Sequence, residues 1–289
     1  MTTTAAPLLV TGASGFLGRH LLEVCSRAQQ PLLALVRDVQ SWRAQHWTTE
    51  HESVDLVEGS VTELEPQSSR LPPLGGIFHL AALVRHSRRN AEEVFETNVQ
   101  GTLRMVHLAA AHGCRLIVLS STGTVGCSRD PDFLADEEAP HCAAEVGGWP
   151  YYRSKIALER QARALAKALG VELVIVRPPV LLGPGDHRLR STAIVLKALR
   201  GKLPFLVRGG MHFTDVRDAA QAISNAMQRP DVRPVYHLDG TVCEIERFFA
   251  WISRNLRLAK DFKATIASAR AFLYTASVVL LVRRIARAS

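Results

Sequence analysis

The 289-residue chain has no cysteine pairing pattern: Cys25, Cys114, Cys127, Cys142 and Cys243 are odd in number and scattered, without a Cys-x-x-Cys pair. That excludes a disulfide framework and a thiolate zinc site, so no metal is expected, and it indicates a reducing compartment. Internal repeats and low-complexity tracts are also lacking, which argues against a solenoid. No secretory leader is expected, because the first apolar run, from Pro7, leads straight into a glycine-rich segment that the fold needs; the expected location is cytoplasmic.

Long apolar runs are scarce, and the body of the chain has no charge bias. Met1 to Glu246 carries 26 Lys and Arg against 26 Asp and Glu, whereas Arg247 to Ser289 sets nine basic residues against Asp261 alone. The whole formal charge of +8 therefore sits in the tail, and nucleic-acid binding by the body is not expected. Within the tail, Ala271 to Val282 is 12 residues without a charge, shorter than the roughly 18 to 20 of a spanning helix. Extension back to Ala264 takes in Arg270, which is costly at mid-bilayer. Two readings stay open: a cationic interfacial helix giving peripheral membrane association, or a helix packed on the protein or on a homodimer partner.

What is present is ordinary globular composition, 47% hydrophobic and 21% charged. Short aliphatic runs at 7–10, 32–36, 54–58, 76–80, 116–120, 173–177 and 235–238 read as strands, several buried on both faces. Helical patterns at 16–29, 91–112, 151–169 and 192–200 alternate with them. The expected class is α/β, a Rossmann-type doubly wound parallel sheet with a smaller C-terminal substrate lobe. Expected domains are 1–178 for the sheet, 179–246 for a discontinuous lobe whose chain returns to the sheet near 235–238, and 247–289 for the tail. The acidic segment from Cys127 to Trp149 reads as a loop over the site.

The first strand opens into Gly12-Ala13-Ser14-Gly15-Phe16-Leu17-Gly18 and a helix. Gly12 allows the tight turn, Gly15 lets backbone approach a pyrophosphate, and Gly18 lets helix and strand pack closely. The positive end of the helix then faces the phosphates. At the second strand's tip stands Arg37, then Asp38. An arginine fork suits the 2′-phosphate of NADP(H); NAD(H) stays open, with Asp38 serving the ribose.

Tyr151 and Lys155 lie four apart on one face of a helix. A nearby ammonium stabilises a phenolate and brings a tyrosine within range of proton transfer. The strand end Ser120-Ser121-Thr122 offers hydroxyls for a carbonyl oxygen. His79 and His107 read as structural. The basic run Arg85-His86-Ser87-Arg88-Arg89 reads as a solvated loop paired with Glu92 and Glu93, or as contacts for an anionic substrate such as a CoA thioester.

Together TGASGFLG (11–18), FHLAA (78–82), TNVQGT (97–102), LSSTGTVG (119–126), YYRSK (151–155), VRPPVLLGPGD (176–186) and HFTDVRDAAQA (212–222) resemble the extended short-chain dehydrogenase/reductase superfamily. The resemblance implies that Tyr151 is the general acid/base, that Lys155 lowers its pKa and binds the nicotinamide ribose, and that Thr122 orients the substrate oxygen, with Ser120 beside it. It implies that Asn98 supports the helix and a proton relay. Leu80, Ala81 and Ala82 would run beneath the adenosine half, Ser60 and Val61 would lie by the adenine, and Pro178 by the nicotinamide. Two departures stand out. Ser60 replaces the family's adenine-binding Asp, and Thr124-Val125-Gly126 lacks the usual Tyr of a substrate-pocket wall.

Extended members include nucleotide-sugar epimerases and dehydratases, and reductases of apolar carbonyl compounds of the dihydroflavonol reductase and 3β-hydroxysteroid dehydrogenase types. Val180 and Met211 stand where the sugar enzymes carry Asn and Arg for a diphosphate. The expected activity is therefore carbonyl reduction, or the reverse oxidation, of a small, mainly apolar substrate. The alternatives are a nucleotide-sugar epimerase/dehydratase and a non-catalytic NADP-binding sensor.

Overall fold

The computed structural model describes residues 5–45, 47, 53–66, 68–85, 87, 91–130, 133–189, 191–200, 202 and 209–250. The expected tail helix lies outside them from residue 251, as do His86, Arg88 and Arg89 of the basic run.

The chain runs β1 (Leu8–Thr11), α1 (Phe16–Arg27), β2 (Leu32–Val36), α2 (Val39–Arg43), β3 (Asp55–Glu58), β4 (Gly76–His79), α3 (Ala91–Phe95), a π turn (Glu96–Gln100) and α4 (Gly101–His112). It continues through β5 (Arg115–Leu119), a 3-10 turn (Thr122–Thr124), α5 (Ala143–Val146), α6 (Pro150–Leu169) and β6 (Leu173–Arg177). β7 (Val180–Leu182), α7 (Ala193–Leu199), β8 (Gly210–Asp215), α8 (Val216–Gln228), β9 (Val235–His237) and β10 (Thr241–Glu244) complete it.

All seven expected strands join one sheet, ordered β3-β2-β1-β4-β5-β6-β9 and parallel throughout. β1 is central, with Leu9 opposite Leu33 of β2 and Ile77 of β4. Every residue of β1, β2 and β4 is buried, as strands covered on both faces must be. Each fully buried leucine contributes roughly 2 kcal/mol. The strand order reverses between β1 and β4, and a doubly wound sheet binds its ligand at the carboxyl ends of strands at that switch.

α6 starts with Pro150, whose missing N–H costs nothing in a first turn, and stops at Gly170, whose φ of +68° a side chain would strain. The face carrying Leu158, Ala162 and Ala166 packs into the core with Val106 and Leu108 of α4. The helical pattern at 91–112 is one run in the sequence but is split by the π turn. The extra residue in that turn leaves Asn98 buried, with its side chain on the Leu83 backbone.

The described residues form two compact units: one reaches to Pro178 and includes Ala220–Leu238, and the other comprises Pro179–Ala219 with the residues from Asp239 on. In the second, the sheet β10-β8-β7 is mixed, antiparallel between β10 and β8 and parallel between β8 and β7. Val195, Phe213, Phe248 and Phe249 form its buried cluster, with Phe213 and Phe249 each 5.2 Å from Phe248.

Candidate active site

The glycine turn is shaped by contact. Gly12 sits at φ +70°, and a Cβ there would come within 2.6 Å of the Ala81 amide nitrogen. A Cβ at Gly18 would collide with the Gly12 carbonyl. Gly15 donates to the Gly12 oxygen at 2.8 Å and precedes the first turn of α1, which no side chain caps. Backbone bonds from Leu80 to the Thr11 carbonyl (3.2 Å) and from Ala81 to the Thr11 hydroxyl (3.2 Å) draw residues 80–82 alongside. A turn open to close approach, at an uncapped helix N-terminus, fits the pyrophosphate of a dinucleotide. Ser14 and Phe16 are partly exposed in it, and Leu17 is buried.

At the tip of β2, Arg37 and Asp38 are both exposed. The Asp38 carboxylate caps α2, accepting from the Ser41 amide (2.9 Å) and hydroxyl (2.7 Å), and these bonds hold it below its ordinary pKa. Gly59 is bonded to the Val36 carbonyl at 2.8 Å, which sets the next residues beside that tip. There the Ser60 hydroxyl bonds Thr62 at 2.8 Å, and Val61 packs against Gly101.

The hydroxyl cluster after β5 divides by partner. Ser120, 2% exposed, donates to Glu159 at 2.5 Å. Ser121 accepts the Gly123 amide at 3.2 Å, a turn cap. Thr122 is partly exposed, and its amide donates to the Pro178 carbonyl at 3.0 Å, which places residues 122 and 178 side by side.

On α6, Lys155 is 2% exposed; its Nζ donates to the Leu119 carbonyl at 2.6 Å and lies 5.9 Å from the Tyr151 ring centre. Burial lowers Lys155 to about 8, the Glu159 charge opposing. Burial, and then neighbouring Tyr152, push Tyr151 above its ordinary value. The phenol is therefore protonated at working pH, the form from which a general acid starts, and the lowering by Lys155 that the resemblance implied is not among the causes acting on it. Asn98 donates to Ser154 at 2.9 Å, and Ser154 donates to the Tyr151 carbonyl at 2.6 Å.

Glu159 is the residue that the sequence reading missed. It is fully buried and accepts from Arg177 (3.0 and 2.7 Å) and Thr124 (3.2 Å), lies 3.0 Å from His141 Nε2, and also holds Ser120. Burial alone would raise its pKa, but hydrogen bonds from Arg177, Ser120 and His141 outweigh that and bring it to about 2. Arg177 also reaches the Glu137 carbonyl at 3.2 Å, so the network holds the loop from beneath. The sequence carries only a weak hint of it, a glutamate four residues after Lys155 and an arginine ending the aliphatic run LVIVR, and neither says that the two meet. Among the described residues no cluster of metal-binding side chains occurs, and no helix is long and apolar enough to cross a membrane. Arg85 pairs with Glu93.

The sequence pattern of the NAD dependent epimerase/dehydratase family matches residues 8–238. A protein of Synechocystis sp. named "Putative dihydroflavonol 4-reductase" is 30% identical over 222 residues, 76% of this chain and 62% of that protein, so this chain spans under two thirds of its length. Cinnamoyl-CoA reductase 1 of Petunia hybrida is 26% identical over 238 residues, 78% of this chain and 70% of that one. The crystal structure of gox2253 superposes with a TM-score of 0.76 at 26% identity, covering 86% of this chain and 74% of that one.

Proposed function

The chain belongs to the NAD-dependent epimerase/dehydratase family of NAD(P)-dependent enzymes, and from that premise we propose that it is an NADP(H)-dependent oxidoreductase that reduces the carbonyl of a small, mainly apolar substrate. The observation that carries this reading is the buried Lys155 ammonium beside a Tyr151 phenol kept protonated. Reductase-named relatives support the direction. For the cofactor, support comes from the tip of β2: the Asp38 carboxylate turns to cap α2 through Ser41, and the exposed Arg37 beside it offers a guanidinium fork to a 2′-phosphate.

Gly12 to Gly18 would hold the pyrophosphate, Leu80 to Ala82 would line the adenosine half, and Pro178 the nicotinamide. Bound NADP(H) would supply the hydride. Thr122 would hold the substrate oxygen. The Tyr151 hydroxyl would pass its proton to that oxygen as the carbonyl becomes an alcohol. Lys155, still charged below about pH 8, would stabilise the phenolate left behind, so kcat should fall as pH rises through that value.

The test is to incubate the protein with NADPH and a panel of ketones and aldehydes, and separately with UDP-sugars. Carbonyl-dependent NADPH oxidation is expected. Conversion of UDP-sugars alone would establish the epimerase reading instead, and tight NADPH binding without turnover the sensor reading.

A further inference from the structure

The buried His79 has no part in the chemistry above, yet it sits in a hydrogen-bonded chain whose two halves are joined by Asn98, entered at its backbone carbonyl and left from its side-chain amide. His79 Nδ1 lies 2.8 Å from the Thr11 hydroxyl, and Nε2 lies 3.1 Å from the Thr102 hydroxyl. Thr102 donates its proton to the Asn98 carbonyl at 2.6 Å, so toward His79 its oxygen can only accept. Nε2 must therefore carry the ring proton, and Nδ1 must accept from Thr11, whose oxygen in turn accepts the Ala81 amide at 3.2 Å. From Asn98 the chain runs through Ser154 to the carbonyl of Tyr151. Thr11, His79, Thr102, Asn98 and Ser154 are each at most 2% exposed.

We propose that His79, fixed as its Nε2–H tautomer, is a positioning residue that couples the glycine turn to the catalytic helix through Thr102, Asn98 and Ser154. Thr11 precedes Gly12, where the dinucleotide is to bind, whereas Ser154 lies on α6 beside Tyr151. Every member of the chain has its donors and acceptors matched, so a shift at one end must be met by the next or leave a buried polar group unpaired. Burial and the nearby Lys155 charge lower the His79 pKa to about 3, which keeps the ring neutral at working pH, while the hydrogen bonds to Thr11 and Thr102 set its tautomer.

The inference rests on the proposed dinucleotide site, and its test separates the two. Wild-type protein is first titrated with NADPH and with NADH; binding of neither overturns the cofactor reading itself. Given binding, Kd is measured for Thr102→Val, Ser154→Ala and the double variant, with Ser224→Ala as control. Ser224 is also 2% exposed but lies off the chain, against Cys25. Ser154→Ala is expected to weaken cofactor binding about threefold to tenfold although it touches no phosphate, Thr102→Val by at least as much, and the double no more than the larger single. The control should lower Tm without moving Kd. In nitrogen NMR the His79 Nε2–H signal should persist unshifted from about pH 5 into the alkaline range, well above its lowered pKa. A Ser154→Ala Kd within twofold of wild type, a double variant equal to the product of the singles, or an Nδ1–H tautomer would each overturn the coupling.

Discussion

The two units hold their buried polar groups in different ways. In the first, bonds join residues far apart in sequence: Thr11 to His79, Ser120 to Glu159, and Arg177 to Glu159 and His237. In the second, buried Asp186 accepts locally from Ser191 and Thr192 and the partly exposed Asp215 clamps Arg217 two residues on, while the buried Thr214 hydroxyl makes one longer link, to the Asp239 carbonyl. Long-range polar bonds under full burial fix where strand ends and helices meet, which is what a reaction centre needs. Local bonds shape loops one at a time.

The comparison can be broken at its strongest point first. Tyr151→Phe should lower kcat about 10²- to 10⁴-fold with NADPH affinity within about twofold, as loss of a positioned proton donor predicts; steady-state kinetics and binding titration check both. Glu159→Gln leaves Arg177 charged and without its counter-ion in the interior, and should destabilise by about 3–5 kcal/mol in denaturant titration. Because the Glu159 pKa falls from 4.5 to about 2 on folding, its contribution is complete above pH 4.5 and lost as pH falls toward 2. The variant should therefore show a flatter acid limb of stability against pH. Arg37→Ala should reduce preference for NADPH over NADH about tenfold or more, read as the ratio of the two Kd values. The smallest effect belongs to the second unit: Asp215→Asn removes a partly exposed, sequence-local pair and should cost about 1 kcal/mol or less in thermal unfolding.

Much of the first unit was legible in the sequence because its signals are local. Aliphatic runs such as Leu116 to Val118 give the strands, the glycines give the turn, and the four-residue step from Tyr151 to Lys155 puts both on α6. β7, β8 and β10 were not legible, because they are three to six residues long and only partly buried, so they carry no run or clean alternation. The π turn inside the run at 91–112 was hidden too, since it follows from where Asn98 must reach rather than from propensity. Glu159 illustrates the remaining gap: a charge on a helix reads as solvated until the strand bearing Arg177 is brought against it. For the charge-rich tail, deletion from Lys260 onward followed by membrane fractionation decides between membrane surface and protein partner, unchanged partition removing the lipid reading.

The most direct measurement uses NADPH deuterated at the transferable position, with a reactive ketone from the panel and wild-type or Tyr151→Phe protein in parallel. The account predicts an alcohol carrying deuterium on the former carbonyl carbon, formed at least about 100-fold more slowly by the variant. Equal rates from the two proteins, or conversion of a UDP-sugar with no net NADPH oxidation, would contradict it.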